Sequence, residues 1–260
     1  MTISALLAGA PAAVAPPPSV PVERRIGAPE AGQGAASDGR FVYAIDNQRI
    51  GKYEIASGRR VAAWSGDPKR FPHLNSCTMV AAELVCAMSN YPAVPQASSV
   101  EFFDPASMRH LRSVSLGLGP GSLTVIDRHR GQWWAVFANY DGRGGQPGRD
   151  HRSTLLVRMD DQFRQLEAWT FPQSVLSRLA PRSASGASWT ADGRLTVSGH
   201  DLPEIYVLSL PPAGPVLDHV ATVPAATPGQ AIDWDPADAG RLWSIDRARA
   251  ELVASRPKLP

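Results

Sequence analysis

With 260 residues, 43% of them hydrophobic and 19% charged, the chain is long enough to bury a full core in one large all-β domain or two smaller ones. Its formal charge of +2 comes from scattered basic residues, which excludes the concentrated basic face of a nucleic-acid binder. No apolar run reaches the ~18 residues a membrane span needs, and 24 prolines with 22 glycines disfavour long helices and suit short strands joined by tight turns.

The chain opens on a leader, residues 1–21, in which Ile3 to Ala15 is short, apolar and built of small residues, like the hydrophobic part of a secretion signal. A basic start is missing, and prolines follow Ala13-Val14-Ala15, so a disordered Ala/Pro leader is the other reading. Val22 to Ala28 then reads as a strand without an obvious neighbour.

A four-strand unit follows. Gln33 to Ala36 is its first strand, Asp38-Gly39 a hairpin turn, Phe41 to Ile45 the second strand ending at Asp46-Asn47, Ile50 to Ile55 the third and Arg60 to Trp64 the fourth. The next copy starts at His73, with strands at Leu84 to Met88, Ser99 to Phe103 and His110 to Leu116. A third starts at Gly121, with strands at Trp133 to Ala138, Thr154 to Met159 and Gln165 to Phe171, then a helix of one turn or two at Gln173 to Leu179. The clearest copy runs SGASWTADGRLTVSGHDLPEIYVLSLP from Ser185, with a last strand at Leu217 to Val223. The fifth, GQAIDWDPADAGRLWSIDRARAELVAS, supplies three strands only.

Five meanders of roughly 30–60 residues predict a five-bladed β-propeller. The blades fall at about 30–72, 73–120, 121–180, 181–228 and 229–256, the last completed by 22–28. Closure removes the edges an open array would expose. An irregular β-sandwich is the competing architecture.

Cys77 and Cys86 lie in NSCTMVAAELVCAM. If a hairpin turns at Ala81-Ala82, the two face each other across adjacent strands, within disulfide range. A disulfide implies an oxidising compartment, periplasmic or extracellular. Two reduced, buried cysteines in a cytoplasmic protein are the alternative.

In a closed ring the first strands line the channel, and the loops after each second strand share one rim with the first-strand starts. Those starts supply Gln33, Asn75, Ser122, Ser185 and Gln230. The second-strand ends supply Asp46, Ser89 with Asn90, Asn139 with Asp141, His200 with Asp201, and Asp246. Convergent polar groups at a concave mouth make this the candidate site. His200 is the candidate general acid/base, with Asp201 or Asp141 as its partner; a structural, hydrogen-bonded histidine is the plain alternative. His73 shares the rim. Tyr91 and Tyr140 can wall a pocket for a small ring. Arg149, Arg152 and Arg143, with His151, sit on the long blade-three loop, where a guanidinium can hold a carboxylate.

No cofactor is expected. Asp46, Asp141, Asp201 and Asp246 offer the hard oxygens a channel calcium would take, or are simply solvated turn residues. The sequence contains no His-x-His, HExxH, CxxC, GxSxG, P-loop or dinucleotide fingerprint.

The strings HLNSC, SNYPAVPQASSVE, NYDGRGGQPGRDHR, SGHDLPEIYVL and GQAIDWDP resemble a bacterial group of five-bladed propellers carried under the name cycloisomerase, by analogy with propeller lactonases and muconate-cyclising enzymes. The likeness spans Glu30 to Arg256 and implies intramolecular lactone formation or opening, an isomerase or hydrolase chemistry. Propellers also serve as binding modules and glycan-active hydrolases, so fold does not assign function. The expectation is a monomer acting on a small polar or carboxylated molecule; a non-catalytic module binding on the same rim is the alternative.

Overall fold

The structure is a computed structural model that describes residues 20–260. The leader reading therefore lies, but for its last two residues, outside the described part. Among the described residues twenty strands form five antiparallel sheets of four. The first to be met, β1 (Val22–Gly27), belongs to the last sheet. Blade one is β2 (Gly34–Ser37), β3 (Phe41–Asp46), β4 (Arg49–Glu54) and β5 (Arg60–Ser65). Blade two is β6 (His73–Val80), β7 (Glu83–Ser89), β8 (Ala97–Asp104) and β9 (Arg109–Leu118). Blade three is β10 (Ser122–His129), β11 (Gln132–Ala138), β12 (Leu155–Met159) and β13 (Gln165–Thr170). After the helix α1 (Gln173–Leu179) comes blade four, with β14 (Gly186–Trp189), β15 (Leu195–Ser198), β16 (Glu204–Ser209) and β17 (Asp218–Pro224). Blade five holds β18 (Asp233–Asp235), β19 (Asp238–Asp246) and β20 (Glu251–Ser255), and β1 pairs with β20 from Val22 opposite Ser255 to Gly27 opposite Glu251. The ring closes as the strand shortfall predicted.

The second and third strands of the blades are buried almost end to end because each blade is covered on both faces by its neighbours. The outer strands alternate instead; β17 is exposed at every second residue, as expected for a sheet edge with one face to water. The core is accordingly divided into five clusters, one between each adjacent pair of blades. The seam between blades four and five is the leanest, with only Ile205, Ile232 and Leu242 fully buried. Between blades three and four, α1 adds Val175, Leu176 and Leu179.

Cys77 pairs with Cys86 across β6 and β7 in the register read from sequence, and the two form a disulfide with Cα atoms 4.0 Å apart, inside the blade one–two cluster. Among the described residues no helix is long and apolar enough to cross a membrane.

Candidate functional site

The rim carrying the second-strand ends opens on a cavity of about 390 Å³ lined by residues of all five blades. Nine of the residues singled out from sequence line it: Gln33, His73, Asn75, Tyr91, Tyr140, Arg143, Ser185, His200 and Gln230. Closure brings these together from positions up to about two hundred residues apart. Asn75 is fixed from below, its amide donating to the Leu123 carbonyl at 2.8 Å. Along one wall His73, Tyr91 and Tyr140 form a run of rings, with successive centroids 5.1 Å apart. The loop after β11 lies over Tyr91 where position 144 is glycine: its φ is +82°, and a Cβ there would stand 2.4 Å from the tyrosine ring.

His200 follows β15 and faces the cavity, its backbone held against Gly229, where a Cβ would meet the His200 carbonyl at 2.3 Å. Its Nδ1 lies 2.6 Å from Asp201 Oδ1. On the other side, Arg247 Nη1 donates to Nε2 at 3.5 Å. Together the two contacts select the tautomer with the proton on Nδ1 and an unprotonated Nε2 that accepts from Arg247. Burial pulls the His200 pKa below its ordinary value; the Asp201 contact opposes this, and Arg182 and Arg247 reinforce it. The imidazole is therefore neutral at pH 7 and able to accept a proton. For His73 burial is the main cause, with Arg247 adding to it, of a pKa pushed down to about 4. Burial, with Tyr91 beside it, pushes the Tyr140 phenol up to about 12, so it remains a neutral donor.

The other sequence candidates serve the frame. Ser89 accepts from Ser122 at 2.8 Å, both buried beneath the mouth. Asn90 ties its own loop, donating to the Pro95 carbonyl and accepting from the Ala97 N–H. Asn139 donates to the carbonyls of Pro120 and Ser153. Asp141 holds His151 at 2.6 Å, Arg152 forks onto Asp150, and Arg149 reaches the Gly119 carbonyl at 3.4 Å. Asp46 pairs with Arg49, and Asp246 with Arg25 and Arg249. Each of the four turn aspartates thus has a basic or histidine partner, and none lines the cavity. They offer a calcium ion at this mouth no converging set of carboxylates.

Six lining residues were not read from sequence as rim groups: Asn47, Pro72, Pro92, Thr124, Arg182 and Arg247. Two of them had a signal. Asn47 and Arg247 each directly follow the aspartate that ends a second strand, in AIDN and SIDR. The mouth-facing residue is thus one step past the strand end in blades one and five, and two steps past it in blades two, three and four, at Tyr91, Tyr140 and His200. With Arg143 from the blade-three loop, the lining carries three arginines and two histidines, and no carboxylate.

No protein-family model matches the chain, and no curated protein sequence does. Solved structures match it in fold. A PQQ-bound aldose sugar dehydrogenase from Streptomyces coelicolor aligns over 94% of this chain and 100% of its own at 13% identity, with a TM-score of 0.56. A luciferin-regenerating enzyme aligns over 93% and 95% at 12% identity, with a TM-score of 0.54. At such identities the likeness is one of fold alone. It supports a propeller and not the cycloisomerase family name.

Proposed function

We propose that the protein binds a small carboxylated molecule at the arginine-lined mouth and acts on it by acid–base chemistry of the lactonase or cycloisomerase kind. The observation that carries this reading is the lining itself: three arginines and no lining carboxylate around a neutral histidine whose Nε2 is unprotonated. Arg143, Arg182 and Arg247 hold the anion, and the side chains of Asn47, Asn75 and Gln230 orient the polar remainder. In lactone opening, Arg247 turns from His200 to the substrate carboxylate, and the Nε2 it leaves takes a proton from water as the oxygen attacks the ring carbonyl. The ring C–O bond then breaks, and the leaving alkoxide takes that proton back from Nε2. Asp201 keeps the imidazole in the required tautomer and steadies its charged form.

The test is turnover of a panel of carboxylated lactones and their open hydroxy acids by the wild type, His200→Gln and Arg247→Gln. An enzyme of this kind loses kcat in the first variant and gains KM in the second. Saturable binding of a carboxylate with no turnover of any panel member would favour the second reading, a ligand-binding module using the same arginines. The disulfide, which persists in oxidising compartments, supports a periplasmic or secreted location.

A further inference from the structure

The opposite end of the channel has the reverse chemistry. Here the turns between first and second strands surround a larger cavity, about 560 Å³. Asp127 at the end of β10 and Asp233 at the start of β18 both line it, with Trp189, Trp234 and His129. Neither carboxylate forms a salt bridge among the described residues. Asp233 is only 6% exposed and receives neutral donors alone, the Ser37 N–H at 2.9 Å and the Ser188 hydroxyl at 3.1 Å. Asp127 receives the N–H groups of Arg128 and Trp189. The nearby guanidiniums are committed elsewhere: Arg128 to Asp161, with its charge over the Trp133 ring, and Arg241 to Asp235 and Glu23. Burial drives the carboxyl of Asp127 up to about 6 and that of Asp233 well above its usual range, and the charge of Asp127 adds to the shift of Asp233.

The cavity wall also offers an aromatic surface: Trp189 and Trp234 line it, and Trp189 is 9% exposed. Its ring lies flat on His129, with centroids 4.4 Å apart. Uncompensated carboxylates beside aromatic faces are what an organic cation satisfies, by charge and by cation–π attraction. A metal ion fits less well, because the only described group that brings three ligand atoms within 4.8 Å of one another is Asp141, Asp150 and His151, elsewhere on the molecule and already paired internally.

We propose that this lower cavity is a second binding site, specific for a small organic ammonium ion seated between Asp127 and Asp233 and against Trp189 and Trp234. It is independent of the mouth and of the chemistry proposed there.

The test is isothermal titration of the full chain with n-butylammonium and tetramethylammonium chloride, with sodium and calcium chloride as controls, read in parallel by tryptophan fluorescence. The expected result is saturable binding of an ammonium ion, weakened at least tenfold by Asp233→Asn and by Asp127→Asn, and unchanged by Arg247→Gln at the mouth. Two aspartate variants are named so that failure of one to fold leaves the other informative. Absence of saturable binding by either ammonium ion, binding insensitive to both substitutions, or tighter binding of calcium than of both ammonium ions would each overturn the proposal.

Discussion

Ring closure by β1 makes a quantitative demand on one side chain. Ile26 is the residue of that strand that enters the core; it is 4% exposed and packs with Val42 and Tyr53 of blade one and with Ile245 and Leu252 of blade five. Ile26→Ala removes three carbons from this seam and leaves a void between two blades. Substitutions of this kind cost about 2–5 kcal/mol. We expect roughly 3 kcal/mol here, because the site lies on an outer strand with freedom to settle inward. For a domain of this size that is a fall in melting temperature of about 6–12 °C. Val22, at the other end of the same strand and 41% exposed, is the control, since Val22→Ala is expected to move stability by no more than about 0.5 kcal/mol. Urea unfolding followed by the fluorescence of the seven tryptophans reads both. If Ile26→Ala matches the Val22→Ala control, β1 does not hold the ring shut.

Other expectations follow from single features. Replacing Cys77 and Cys86 by alanine opens a loop spanning a separation of 9, for which chain entropy predicts a loss of roughly 2–3 kcal/mol; an unchanged urea midpoint would mean the bridge contributes nothing to stability. His73 is held near pKa 4 when folded and returns to about 6.5 when unfolded, so below pH 6.5 the unfolded chain binds the extra proton. Its contribution is full above pH 6.5 and is lost as the pH falls toward 4. The ring is half-buried, so the loss is about 1–2 kcal/mol rather than the full linkage value of roughly 3. His73→Gln should flatten ΔG against pH across that window, and an unaltered slope would show that another group titrates there. Gly144→Ala places a methyl against Tyr91 and should loosen the blade-three loop, so that trypsin cuts faster at the exposed Arg143 and Arg149. Digestion no faster than wild type would contradict the close packing of that loop.

Much of the fold was legible because its signals are local. The Asp38-Gly39 and Asp192-Gly193 turns, the runs between them and the missing fourth strand of the last copy state the blade count and the closing pair without reference to distant residues. The disulfide register followed from hairpin arithmetic on fourteen consecutive residues. The rim was only partly legible. His200, with Asp201 adjacent in sequence, stood out as the one second-strand end carrying a histidine, and the structure joins the two at 2.6 Å. The aspartates of the other turns looked equally available, yet Asp46 is taken by Arg49 and Asp246 by Arg25. The lower cavity was overlooked altogether. Its carboxylates sit in the strings VID and AID, and nothing local in either string shows that the two meet at one cavity.

What the sequence by itself determined is thus the order, number and pairing of strands, since period, turn chemistry and register act over a few residues. The tertiary structure alone decided the electrostatic sign of each end of the channel. A side chain's charge is counted at a cavity only after its partners are known, and those partners come from other blades. Closing the ring lines one mouth with Arg143, Arg182 and Arg247 and with no carboxylate, although Asp201 stands behind Arg182, and lines the other with Asp127 and Asp233, whose neighbour Arg128 is turned to Asp161.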